Sequence, residues 1–195
     1  KLLLEKGENI EAKDSNGWSP LFLASCGGHT DTAKLLLEKG ENIEAKDSNG
    51  WSPLFLASCG GHTDIAKLLL GKGANVEAKD DDGRTPLFLA SRGGHTNTAM
   101  LLLEKGANVE AKDDDGRTPL FLASRGGHTN TAKLLLERGA NVEAKDNYGS
   151  TPLMSASCGG HTDTAKLLLE KGANVEAKDN YGSTPLMSAS CGGHT

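Results

Sequence analysis

Asp47 to Lys79 reads DSNGWSPLFLASCGGHTDIAKLLLGKGANVEAK, and the rest of the 195-residue chain is this 33-residue unit copied. Copies open at Asp14, Asp47, Asp80, Asp113, Asp146 and Asp179. Self-similarity at a fixed period of this length is the mark of a stacked array. Within the unit, Asp47-Ser48-Asn49-Gly50 is a turn, because Asp bonds to the backbone ahead of it and Gly accepts positive φ. Ser52-Pro53 reads as N-cap and first helical residue: a hydroxyl satisfies a free N–H, and Pro loses no bond there. All six prolines (Pro20, Pro53, Pro86, Pro119, Pro152, Pro185) share this offset.

A short apolar helix is expected over Leu54 to Ser58, stopped by Gly60-Gly61 acting as a left-handed C-cap. A second helix is expected from about Thr63 to Lys72, with Ala66, Leu69 and Leu70 at helical spacing and Gly73 at its end. Asn75 to Lys79 reads as an extended lead into the next turn. A helix this short is marginal alone in water. Each unit must bury its apolar faces on its neighbours, which makes the fold quasi-one-dimensional.

These offsets resemble the ankyrin repeat. Thr85-Pro86-Leu87, Ala90, Gly94-His95, Leu102-Leu103 and Gly106-Ala107 stand where that family places T-P-L, Ala, G-H, Leu-Leu and G-A. The resemblance implies an all-α repeat solenoid, helix–turn–helix units stacked side by side with β-turn or hairpin fingers. It covers residues 1–195, divided as a half repeat 1–13, full repeats 14–46, 47–79, 80–112, 113–145 and 146–178, and a half repeat 179–195. The family's His after T-P-L, which ties adjacent turns together, is here Phe22, Phe55, Phe88 and Phe121, then Met154 and Met187. That joint is therefore expected to rest on packing. Ser58 and Ser91 replace the second Ala of the family's A-A pair.

The composition narrows the function. Net charge is −5, without the basic stripe of a nucleic-acid surface. No apolar run approaches the roughly 18 residues of a membrane span. Cys26, Cys59, Cys158 and Cys191 share one offset. Helices packed about 8–10 Å apart hold such residues beyond disulfide reach. They read as free thiols, pointing to an intracellular, cytoplasmic setting. The chain opens and closes in mid-repeat, which reads as an excerpt of a longer array. Near-identical repeats that differ only at groove offsets also resemble the sensing segments of some receptor-like proteins.

Most offsets are the same in every unit, as turns, caps and core demand. The differences cluster at offsets 2, 3, 5, 9, 10 and 13, counting the opening Asp as 1, and there they fall in pairs of units. The first pair carries Ser15, Asn16, Trp18, Cys26 and Ser48, Asn49, Trp51, Cys59. The middle pair carries Asp81, Asp82, Arg84, Arg92 and Asp114, Asp115, Arg117, Arg125. The last pair carries Asn147, Tyr148, Ser150, Cys158 and Asn180, Tyr181, Ser183, Cys191.

In the ankyrin family, offsets 2, 3, 5 and 13 are finger tips and the exposed side of the first helix, lining a concave groove that binds partners. The resemblance thus implies a protein-interaction module for a protein or extended peptide. Trp, Tyr and Arg suit such a surface because they bury large areas or make forked polar contacts. Trp18, Trp51, Tyr148 and Tyr181 are expected on exposed fingers, and Arg84, Arg92, Arg117 and Arg125 form a band for an acidic partner. At about 10 Å per unit the groove spans roughly 60 Å. The alternative is a spacer, or a head-to-tail self-assembling array without a groove ligand.

Catalysis and cofactors find no support. His29, His62, His95, His128, His161 and His194 lie one repeat apart, too far for a shared metal ion. Asp80-Asp81-Asp82-Gly83 lacks the alternate acids and the Glu of a calcium loop. No nucleophile–base–acid set stands out, so neither enzyme activity nor a cofactor is expected.

Overall fold

The computed structural model describes residues 9–194. Residues 1–8 of the expected half repeat 1–13 lie outside them. Among the described residues there are eleven helices and no strand. In chain order they are α1 Pro20–Cys26, α2 Thr30–Glu38, α3 Pro53–Cys59, α4 Thr63–Gly71, α5 Pro86–Arg92, α6 Thr96–Glu104, α7 Pro119–Arg125, α8 Thr129–Glu137, α9 Pro152–Cys158, α10 Thr162–Glu170 and α11 Pro185–Cys191. Odd-numbered helices are the first of each pair and even-numbered ones the second. No helix among the described residues is long and apolar enough to cross a membrane.

The first helices begin as their sequence dictates. Ser19, Ser52, Thr85, Thr118, Thr151 and Thr184 each accept a hydrogen bond from the backbone N–H three residues on, with Pro following the cap. They end as expected, on a left-handed glycine: the first glycine of each pair stays right-handed, as Gly60 does at φ −85°, and the second turns left-handed, as Gly61 does at φ +69°. The stretch after the second helix is corrected. Asn75 to Ala78 is a turn, closed by Ala78 N–H donating to the Asn75 carbonyl at 3.2 Å, while Asn75 Oδ1 accepts from Glu77 N–H. An Asn side chain that mimics the backbone stabilises a turn over an extended strand.

Leu, Ala and Ile from both helix rows form one continuous core, including Leu54, Ile65, Leu87, Leu102, Leu120 and Leu135, all nearly sealed from solvent. Each fully buried aliphatic side chain contributes about 1.5–3 kcal/mol. A second cluster of Phe55, Phe88, Leu89, Phe121 and Leu122 lies beneath the fingers, with Trp51 packed on it. The variable offsets 9 and 10 therefore supply the floor of the fingers in the middle repeats. Ser25, Ser58, Ser91 and Ser124 are buried with hydroxyl oxygens that have no partner.

The joint between repeats does not rest on packing alone. The histidine preceding each second helix reaches back to the previous repeat: His62 Nε2–H donates to the Cys26 carbonyl at 3.0 Å, His95 to Cys59 at 2.9 Å, His128 to Arg92 at 3.0 Å and His161 to Arg125 at 2.9 Å. A carbonyl only accepts, so Nε2 carries the proton. Further ties run in parallel: Thr96 and Thr131 hydroxyls meet at 2.8 Å, and Glu77 Oε1 accepts from Asn108 N–H at 2.9 Å.

One core position breaks the pattern. Ala74, Ala107, Ala140 and Ala173 are buried at an offset occupied by Glu41 in the first full repeat. Glu41 is 4 % exposed; its Oε1 accepts from Leu21 N–H at 2.9 Å and its Oε2 has no partner. Burial raises its pKa above the ordinary carboxyl value, aided by the charge of Glu11 and opposed by the nearby Ser19 hydroxyl and the bond from Leu21 N–H. The folded state then holds the proton more tightly than the unfolded chain. The stability Glu41 contributes is complete below the ordinary carboxyl pKa and is lost as pH rises through the raised folded value. Glu41→Ala is expected to stabilise the array at neutral pH by about 1 kcal/mol and to flatten this part of its pH dependence. Thermal unfolding of both proteins from mildly acidic to neutral pH measures it; a lower neutral-pH midpoint for the variant refutes it.

Candidate partner-binding groove

The finger of each repeat is built by its opening aspartate. Asp47 Oδ1 accepts from the N–H groups of Asn49 and Trp51, both at 2.9 Å, and Asp47 N–H donates to the Trp51 carbonyl at 3.1 Å. Gly50, at φ +74°, closes the turn, and a Cβ there would meet Asp81 Oδ1 of the next finger. Neighbouring fingers are laddered: Asp81 N–H donates to the Asn49 carbonyl, Asp114 to Asp82, Asn147 to Asp115 and Asn180 to Tyr148. Paired backbones leave the side chains of offsets 2 and 3 standing along one edge.

The structure sorts the expected site residues into two sets. Ser15, Asn16, Ser48, Asn49, Asp81, Asp82, Asp114, Asp115, Asn147, Tyr148, Asn180 and Tyr181 are exposed on fingers, and Cys26, Cys59, Arg92, Arg125, Cys158 and Cys191 are exposed at the ends of the first helices. Tyr148 and Tyr181 are 54 % and 79 % exposed. Offset 5 departs from expectation: Trp18, Trp51, Arg84, Arg117, Ser150 and Ser183 are half-buried. Trp18 leans on Phe22 with ring centroids 5.1 Å apart, and Trp51 on Phe55 at 5.4 Å, because an indole at the finger base is above the aromatic floor. Arg84 in turn lies over the Trp51 ring at 5.9 Å.

The expectation of a four-membered arginine band is corrected in the same way. Arg84 Nε donates to Asp80 Oδ2 at 2.7 Å, and its Nη2 lies 2.6 Å from both Asp80 and Asp82 carboxylates. Arg117 repeats this with Asp113 at 2.8 Å and 2.6 Å and with Asp115 at 2.7 Å. Partial burial pulls the Arg117 pKa down, but Asp113, Asp115 and Asp146 outweigh it and raise the pKa above its ordinary value. These two arginines staple their own fingers. Asn147 and Asn180 are partly committed as well, their amides donating to the Asp114 and Asn147 carbonyls.

Residues read from the sequence as scaffold fix the backbone that carries the offset-13 side chains. The carbonyl at offset 13 receives the next repeat's histidine, so the variable Cys26, Cys59, Arg92 and Arg125 side chains project from a pinned backbone. The recurrence of His one residue before each second helix was the available signal. All four cysteines are free and exposed. Among the described residues, no group of three His, Cys, Asp or Glu could hold a metal ion.

The family profile described as "Ankyrin repeats (3 copies)" matches residues 1–80, 75–146 and 140–195. The chain belongs to the ankyrin-repeat family. Proteins of this family are generally protein–protein interaction modules and are typically not enzymes. No curated protein matches the chain in direct sequence comparison.

Proposed function

We propose that this array recognises a protein, or an extended peptide of one, through the groove formed by its fingers and the exposed sides of α1, α3, α5, α7, α9 and α11. One observation carries the reading. Side chains at offsets 2, 3 and 13 are exposed in every described repeat and change from pair to pair, whereas the unchanging offsets are consumed by caps, core and inter-repeat bonds. The exposed face is also graded: tryptophan-based fingers first, arginine and aspartate in the middle, tyrosine fingers last. A surface of this length suits an extended segment better than a small molecule. The groove works without a cofactor, and the exposed free thiols suit the reducing cytoplasm. The residues assigned to contact are those at offsets 2, 3, 5 and 13, with offset 5 acting partly through finger shape.

Comparative capture from a lysate of the source tests the proposal. The array is compared with one variant carrying Ser at offsets 2, 3 and 13, and with another carrying as many Ser substitutions on the outer faces of the second helices, such as Lys67, Lys133 and Lys166. Circular dichroism confirms equal folding. Partner held by the array and the outer-face variant, and lost from the groove variant, is the expected result. Equal capture by all three refutes the groove and favours the spacer or self-assembling array.

A further inference from the structure

We infer that the cleft between α5 and α7 is a subsite for a phosphorylated side chain on an extended peptide. The cleft measures about 350 Å³ and is lined by Arg92, Arg117, Leu122, Arg125 and Gly126. Three guanidinium-bearing side chains thus border one space. Arg117 is occupied by Asp113 and Asp115, but neither Arg92 nor Arg125 pairs with a carboxylate among the described residues. The backbone of both is pinned by the histidine bonds from His128 and His161, so the side chains start from fixed points. Leu122, only 6 % exposed, gives an apolar floor, and Gly126 places no side chain over the opening.

Charge and geometry choose the ligand. Two unpaired guanidinium groups match a phosphate monoester, which carries about −1.5 to −2 charge near neutral pH and three acceptor oxygens. Planar forks bind such oxygens in pairs. A carboxylate side chain offers half the charge. The remaining charges around the cleft refine the partner: Asp81 and Asp114 are exposed along the finger edge, so basic residues beside the phosphorylated one meet complementary charge. In the flanking pairs of repeats the same offset is Cys26, Cys59, Cys158 and Cys191, which confines the cationic subsite to the centre of the array.

This subsite presupposes that the groove takes a peptide. The probe is a short fluorescent peptide with a central phosphoserine flanked by lysines, beside its serine and glutamate versions, read by anisotropy against the full chain. The phosphopeptide is expected to bind at least about tenfold tighter than either version. Arg92→Gln with Arg125→Gln is expected to weaken it on the order of a hundredfold, with partial recovery in the double Lys variant and no change in Lys133→Gln with Lys166→Gln. Absent binding, equal binding of the serine or glutamate peptide, or full affinity in the double Gln variant overturns the assignment. Capture of the natural partner separates the two levels. A partner kept by the double Gln variant but lost from the groove-wide Ser variant overturns the phosphate subsite and leaves the groove standing; a partner kept by both overturns the groove itself.

Discussion

Leu102→Ala is expected to destabilise the array by about 3–5 kcal/mol. Leu102 sits in α6 with no exposed surface, at the centre of the continuous core. Its removal takes away buried apolar surface and leaves a cavity that the neighbouring helices cannot fill without leaving their own contacts. Stability here is nearly a sum of repeat terms and nearest-neighbour terms. A defect in the middle therefore weakens both of its interfaces, and the urea transition is expected to broaden or split into two steps. Leu169→Ala in α10 is the control: that side chain is 42 % exposed, and its loss is expected to cost less than about 1 kcal/mol. Equal effects at the two positions contradict a single shared core.

Asp113→Ala is the second large effect, about 2–4 kcal/mol. The Asp113 side chain is 1 % exposed and does two jobs. Its Oδ1 accepts from Arg117 N–H at 2.8 Å, and its Oδ2 takes both the Nε and the Nη2 of Arg117. Alanine leaves the Arg117 guanidinium, only 26 % exposed, with Asp115 alone. Asp113→Asn separates the jobs, since an amide oxygen still accepts the backbone bond while the charge is gone. The Asn variant is expected to retain roughly half of the lost stability. Thermal and urea unfolding measure both; an Ala variant within about 0.5 kcal/mol of the parent shows that the finger does not depend on this pair.

The architecture was open to reading from the sequence because each local signal repeats at a fixed interval. Pro after Ser or Thr, paired glycines and the Leu triplets each have one physical meaning, and six copies agree. The groove was less legible, for reasons that can be named. Asp-x-Asp-Gly-Arg reads as two acids and a free cation, yet the finger turns the chain back so that Arg84 meets Asp80 and Asp82. Sequence spacing does not reveal that closure. Trp18 and Trp51 read as exposed because fingers are exposed, but an aromatic floor lies within reach at Phe22 and Phe55. Only the tertiary stack makes that floor. The histidines were legible as repeated scaffold, while their bond to a carbonyl 36 residues earlier depends on how neighbours dock. Glu41 carried no signal in the sequence reading; its departure from the Ala of the other full repeats gained meaning only with its burial.

The groove's own thiols offer the most direct measurement. Cys59 and Cys158 are exposed at offset 13 and flank the arginine repeats. Their alkylation rates are measured by mass spectrometry with and without a saturating captured partner, beside outer-face cysteines introduced by Lys67→Cys and Lys166→Cys. The account predicts that the partner slows alkylation of Cys59 and Cys158 by about tenfold or more and leaves the outer-face cysteines unchanged. Unchanged rates at Cys59 and Cys158, or protection only on the outer face, would contradict recognition through the finger and first-helix groove.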